Sequence, residues 1–266
     1  MNMEDKLISS ENVAGKVVLV TGAASGIGEQ ISYEYARRRA RLVLVDIRGD
    51  RLGRVVRNVK NLGSPDVIAI AADVSKVEDC KRFIDETVKH FGQLDHLVNN
   101  AGIARLKLFE EDESVSEFPR DVNFWGTVYG THFAIPHLRK SYGKIIVIAS
   151  GLGKSSKAAL ISFYETLRCE IGWGIGITIV TPGLINSELT QTVAAKAAIG
   201  FLDFVPMASS ERCGKAIVRS ACRGDKYLTE PSWIKSLYLL KILCPELIEY
   251  TNHIALMKNL KKTGNQ

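Results

Sequence analysis

The residues that first suggest chemistry are glycines. After the apolar run at residues 16–21 comes Thr21-Gly22-Ala23-Ala24-Ser25-Gly26-Ile27-Gly28, which opens a segment of helical length. In that order Gly22 permits a tight turn, Gly26 lets the backbone approach a pyrophosphate, and Gly28 lets helix pack on strand, while the free amides of the helix receive the phosphate charge. Glycines in this pattern also describe an ordinary strand-to-helix turn. Their context is more specific, because Asp46 closes the next apolar run 18 residues beyond Gly28, where a dinucleotide site needs an acid for the ribose hydroxyls. A carboxylate there repels a phosphate, so Asp46 predicts NAD; Arg48, two residues on, leaves NADP possible, since its side chain can swing past Asp46 to reach one.

Other reactive residue types carry less. His90, His96, His132, His137 and His253 lack metal-ligand spacing and are expected at the surface or at helix ends. The five cysteines are odd in number, widely spaced and without a C-x-x-C pair, which predicts reduced thiols, with neither a disulfide framework nor a zinc site. Ser150, in Ala149-Ser150-Gly151, lacks the G-x-S-x-G elbow of a hydrolase.

The elements that must position these residues follow from the hydrophobic rhythm. Short apolar runs at 16–21, 41–46, 66–71, 95–99, 144–149, 177–181 and 226–229 have the length of buried parallel strands. Helix-length stretches lie between them, among them 76–91, about 119–140, 158–171 and 209–223. Strand and helix alternate throughout, so we expect a single doubly wound (Rossmann) α/β domain at 14–230, with a parallel sheet of about seven strands and helices on both faces. Residues 186–207, small and apolar after a Pro-Gly turn, fall over the crevice of such a sheet and are expected to form a substrate loop. The remaining 231–266 reads as an amphipathic extension, docked on the domain or resting on a membrane surface.

Composition narrows the function classes. With 266 residues, 46% hydrophobic and 24% charged, the chain is long enough to bury a core without disulfides or metal. The net charge of +6 is spread along the chain, with no basic run longer than Arg37-Arg38-Arg39, so no nucleic acid partner is expected. The amino terminus is acidic where a signal peptide is basic, and no stretch reads as a membrane span; a cytoplasmic chain is expected, at most peripheral at a membrane or lipid-droplet surface.

Thr21 to Gly28, Asp73 after the third strand, Asn99-Asn100-Ala101-Gly102 after the fourth, Asn123 in the next helix and Pro182-Gly183 after the sixth strand together resemble the short-chain dehydrogenase/reductase family over about residues 14 to 230. The phrases at 11–18, 94–102, 123–126 and 230–233 look like its plant 11β-hydroxysteroid dehydrogenase-like members, the steroleosins. The resemblance implies cofactor contacts at Gly22, Ser25, Gly26, Ile27, Gly28, Asp46, Asp73, Val74, Asn100, Ala101, Gly102, Lys157, Pro182 and Gly183. On residue chemistry alone, Asn99 and Asn100 also suit a turn, and Asp73 a helix cap.

In that family a Tyr exchanges the hydroxyl proton, a Lys four residues later lowers its pKa and holds the ribose, a Ser orients the substrate oxygen and an Asn supports a proton-relay water. Asn123, Ser150 and Lys157 stand at three of these positions. The fourth departs: four residues before Lys157 stands Gly153, and the step from Ser150 to Lys157 is shortened, so the segment bearing Tyr looks deleted. Tyr164 is an unsuitable substitute, because the family register from Lys157 to Pro182 leaves it about two turns further down the same helix, in a packing position. The resemblance therefore implies an NAD(P)-dependent oxidoreductase of a secondary alcohol or ketone on a steroid-like or other lipophilic substrate, impaired by loss of the Tyr. The alternative is a non-catalytic paralogue or splice product that binds cofactor and dimerises. A homodimer is implied through the helices around 123–140 and 157–171.

Overall fold

The central strands of the main sheet are short and apolar because both of their faces are covered. Our structure, a computed structural model, describes residues 10–103, 120–150, 155–191, 207–246, 249–250 and 253–254. Strand β1 (Val17–Thr21) is buried at every position. Its alternate residues face two separate cores: Val18 and Val20 pack on one side of the sheet, Val17 and Leu19 on the other. With β2 (Arg41–Asp46), β3 (Val67–Ala71), β4 (His96–Asn99), β5 (Lys144–Ile148), β6 (Gly176–Pro182) and β9 (Tyr227–Glu230), it forms a seven-stranded sheet in the order β3-β2-β1-β4-β5-β6-β9. Every pairing is parallel.

Helices α1 (Gly26–Arg37), α2 (Gly49–Asn61) and α7 (Ser210–Arg223) cover one face; α3 (Val77–Phe91), α4 (Gly126–Ser141) and α5 (Ser155–Ile171) cover the other. The chain winds outward from β1 in both directions, so the carboxyl ends of β1 and β4 flank the switch point where such sheets open a crevice. The doubly wound architecture agrees with the alternation in the sequence, and strand ends fall within a residue or two of expectation.

Three features depart from the expected rhythm. The stretch expected as one helix at 119–140 begins with a π turn, Asp121–Trp125, which carries Asn123. Such turns insert one residue into the helical repeat and re-aim a side chain. A second, two-stranded parallel ladder joins β7 (Ile185–Asn186) to β8 (Ala208–Ser209), tying both ends of the 186–207 segment together. A four-residue helix, α6 (Glu188–Gln191), follows β7. Residues 192–206 of the expected substrate loop lie outside the described residues, as does much of the 231–266 extension, of which α8 (Ile234–Leu243) is described. Among the described residues no helix is long and apolar enough to cross a membrane.

His96 corrects the expectation that the histidines sit at the surface or at helix ends. It lies in β4 and is fully buried, with Nδ1 2.9 Å from the Tyr35 hydroxyl and Nε2 3.3 Å from Glu11. Burial lowers its pKa. The Glu11 carboxylate also meets Lys16 and Lys144, each at 2.6 Å. Burial alone would raise the Glu11 pKa, but His96 and the two ammonium groups outweigh it and hold the group well below the usual carboxylate range.

A depressed folded pKa gives stability that is present above the unfolded value of about 4.3 and is lost as the pH falls below it. Glu11→Gln is therefore expected to cost about 1.5–3 kcal/mol at neutral pH. The gap to the parent chain should close below about pH 4, read from urea midpoints across pH. An equal gap at pH 3 and pH 7 would show that Glu11 does not act through its charge.

Candidate functional site

The glycine turn lies at the carboxyl end of β1, and its geometry requires glycine. Gly22 and Gly26 have φ of +66° and +57°, the left-handed region that L side chains rarely adopt. A Cβ on Gly28 would lie 2.2 Å from the Gly22 carbonyl oxygen and 2.4 Å from Asn100 Nδ2. Asn100 stitches this turn to the end of β4: its Nδ2 donates to the carbonyls of Thr21 (2.9 Å) and Gly22 (3.2 Å). Its own N–H and that of Ala101 both donate to the Thr21 hydroxyl, at 3.0 and 3.1 Å. Gly22, Gly28, Asn100 and Ala101 are thus brought to one place. The first amides of α1, beside that place, have no acceptor within the helix. Ile27 instead packs against the core.

Asp46, at the end of β2, is buried with both carboxylate oxygens engaged. Oδ2 accepts from the Ala24 N–H at 3.0 Å; Oδ1 accepts from Arg48 N at 2.9 Å and Arg48 Nε at 3.2 Å. The same guanidinium donates to Ser25 Oγ at 2.7 Å and to Glu188 at 3.0 Å. Arg51 adds two more bonds to Glu188, at 2.8 and 3.0 Å. Burial would lower the Arg48 pKa, but Asp46 and Glu188 outweigh it and raise it further.

On the other side of the crevice, Asn123, Gly102 and Lys157 converge. A Cβ on Gly102 would sit 3.0 Å from Asn123 Oδ1 and 3.3 Å from Lys157 Nζ. Asn123 is buried and bonded both ways to Ile103: its Oδ1 accepts from the N–H (2.9 Å) and its Nδ2 donates to the carbonyl (3.0 Å). Lys157 donates to the Ile148 carbonyl at 2.7 Å, two residues before Ser150 at the end of β5. Desolvation lowers the Lys157 pKa to about 8. Gly153 lies outside the described residues.

The remaining expected contacts divide. Asp73 Oδ1 accepts from the N–H (3.0 Å) and hydroxyl (2.7 Å) of Ser75, so its described bonds are those of a turn former. The Val74 carbonyl would lie 2.7 Å from a Cβ on Gly126, which makes Val74 a packing partner for the start of α4. Pro182 ends β6, and Gly183 donates to the Glu230 carbonyl at 2.9 Å while a Cβ on it would collide with Ile234 of α8. Thr21, Arg51, Ser187 and Glu188 were not expected at the site. Arg51 had a signal, because a spacing of three from Arg48 puts both on one side of a helical turn; Glu188 lies in the 186–207 segment expected over the crevice, but nothing local pairs it with Arg48, 140 residues away.

Tyr164 has the packing role expected of it. It is fully buried, with its hydroxyl bonded to Thr131 Oγ1 (2.5 Å), Asn99 Nδ2 (3.2 Å) and the Thr127 carbonyl (3.2 Å). Burial drives its pKa up, despite the bonds from Thr131 and Asn99, away from the range useful to a general acid near neutral pH. Tyr164→Phe is expected to cost about 1–2 kcal/mol in urea unfolding and leave nucleotide affinity unchanged. A selective loss of turnover at parental stability would make it catalytic after all.

The family model described as short chain dehydrogenase matches residues 16–198. "11-beta-hydroxysteroid dehydrogenase-like 6" of Arabidopsis thaliana is 52% identical, over 91% of this chain and 77% of that protein. "11-beta-hydroxysteroid dehydrogenase A" of Arachis hypogaea is 51% identical, over 91% of this chain and 76% of that one. Among solved structures, a short chain dehydrogenase/reductase from Burkholderia phymatum in complex with NAD superposes with a TM-score of 0.79, covering 89% of this chain and 96% of its own, at 23% identity; that likeness is one of fold.

Proposed function

This chain belongs to the short-chain dehydrogenase family, and we propose that it binds NAD and exchanges hydride with a secondary alcohol or ketone on a steroid-like or other lipophilic substrate. The observation that carries the reading is the crevice whose one wall is the glycine turn beside Asp46 and whose other wall is Gly102 with Asn123 and Lys157. The turn suits a dinucleotide because the volume a Cβ would fill at Gly22 and Gly28 is taken up by the backbone and Asn100, which draws the amides of α1 up to the crevice. The lipophilic substrate is supported by the names of the plant relatives.

Bound NAD supplies the hydride acceptor or donor. The chain's own groups would do the rest: the amides of α1 would hold the pyrophosphate and Asp46 the ribose hydroxyls. Lys157, an ammonium below its pKa of about 8, would donate to the nicotinamide ribose. Ser150 orients the substrate oxygen and Asn123 supports a relay water. Gly153 stands four residues before Lys157, where the family places the phenol that exchanges the hydroxyl proton, and we expect turnover lower by about 10²–10⁴ than with a positioned acid.

That same Gly153 favours a second reading, a non-catalytic chain that binds the nucleotide and pairs with a second copy. The half-exposed Trp125, stacked on Tyr129 where the π turn enters α4, supports such a homodimer. Titration with NADH, followed by assay on a panel of hydroxysteroids and ketones, separates the readings. We expect NADH binding, weak turnover, and a gain of about 10²-fold in Gly153→Tyr. NADH binding with no turnover in either chain favours the second reading, and absence of NADH binding removes both.

A further inference from the structure

We propose that Glu188 decides which nucleotide this chain accepts, by occupying with its own carboxylate an anion site formed by Arg48 and Arg51 beside Asp46. The inference rests on the nucleotide reading above and concerns only the choice between NAD and its 2′-phosphorylated form. The four charged groups lie in one chain of contacts. Arg48 Nε bonds Asp46 at 3.2 Å, Arg48 Nη1 bonds Glu188 at 3.0 Å, and Arg51 Nη1 reaches both Glu188 oxygens at 2.8 and 3.0 Å. Arg48 Nη2 bonds Ser25 Oγ at 2.7 Å, which fixes the guanidinium over the glycine turn.

The site has the composition of a phosphate site: two guanidinium groups around one anion, one of them held by the Ser25 hydroxyl. The anion it holds is internal. Two arginines against Asp46 and Glu188 leave no net charge, so a 2′-phosphate, which extends from the hydroxyl that Asp46 would hold, meets a neutral cluster and a competing carboxylate. Glu188 belongs to α6, 140 residues from Arg48, and is held there by the β7–β8 ladder and by Ser187, whose Cβ would lie 3.4 Å from a Cβ on Gly26. The segment after β6 thereby reports to the adenosine end of the crevice.

The mixed role of Arg48 follows from this. With Glu188 in place it serves Asp46 and suits the unphosphorylated ribose; with the carboxylate neutralised, Arg48 and Arg51 carry one uncompensated positive charge toward a phosphate.

The test is fluorescence titration of the full chain, Glu188→Gln and the double variant Glu188→Gln/Arg51→Gln with NADH and NADPH. Glu188 is largely exposed, so the variants are expected to fold, and melting curves check that. We expect the NADPH-to-NADH affinity ratio to rise by about tenfold or more in Glu188→Gln, to weaken with added salt, and to fall back in the double variant. A ratio within threefold of the parent in Glu188→Gln, with NADH still bound, overturns the proposal and leaves the nucleotide reading standing. A raised ratio that Arg51→Gln does not reverse also overturns it, since the gain then lies outside the arginine pair. Parent chain that binds neither nucleotide removes the nucleotide reading and this inference with it.

Discussion

Valine at position 28 is expected to abolish NADH binding and destabilise the chain by more than about 3 kcal/mol, the range of severe overpacking. The Cβ it introduces would fall 2.2 Å from the Gly22 carbonyl oxygen and 2.9 Å from the Gly22 carbonyl carbon. These are backbone atoms. They cannot turn aside, because Gly22 holds a left-handed turn and its carbonyl accepts from Asn100. Nor can α1 lift away, since a Cβ on Gly214 of α7 would already lie 2.9 Å from Gln30, so the two helices are in close contact on their far side.

Gly26→Ala provides the contrast. Its nearest neighbour is Ser187 Cβ at 3.4 Å, leaving about 1–2 kcal/mol of left-handed backbone strain as the main cost. Urea midpoints and NADH titrations of the two variants should therefore separate clearly. Equal destabilisation would mean that close approach of helix to strand is not what Gly28 provides.

The second large effect is expected at Lys157. Replacing it with Met removes a charged donor from the crevice, and NADH affinity should fall about 10–100-fold, the value of a charge-assisted hydrogen bond. Stability should move the other way. The folded pKa of about 8 lies below the unfolded value of about 10.4, so the folded chain binds fewer protons between those limits and stability rises with pH across that window. Below pH 8 the desolvation penalty is fully present, and Lys157→Met removes it. The variant should accordingly be more stable than the parent at pH 7, with the difference shrinking toward pH 10. In the parent, NADH affinity should decline above pH 8 as the ammonium loses its proton, a decline absent from the variant. A variant less stable at pH 7 would show that the bond to the Ile148 carbonyl outweighs desolvation.

The effects at Gly28 and Lys157 differ in how visible they were beforehand. Gly28 and Asp46 could be read from local order, because a strand, a turn and a helix are consecutive and an acid closing the next strand falls a fixed distance away. Strand boundaries were equally legible: the centre of a sheet covered on both faces demands apolar runs with no polar alternation, and β1, β2, β4 and β5 supply them. His96 was misplaced for the same reason. A polar ring in an apolar strand carries no local sign of its partners, and Glu11 and Tyr35 reach it from distant parts of the chain.

What the sequence by itself determined is thus the alternation of strands and helices and the glycine turn with its acid. These are properties of neighbouring residues, set by period and spacing. Only the tertiary structure decided that Asn100 rather than Asp73 braces the turn, that a π turn aims Asn123 at Ile103, that Tyr164 spends its hydroxyl in the core, and that Glu188 lies across Arg48 and Arg51. Each of these depends on contacts between residues far apart in the chain, and such contacts come into being only when the doubly wound sheet brings the carboxyl ends of its strands to one edge.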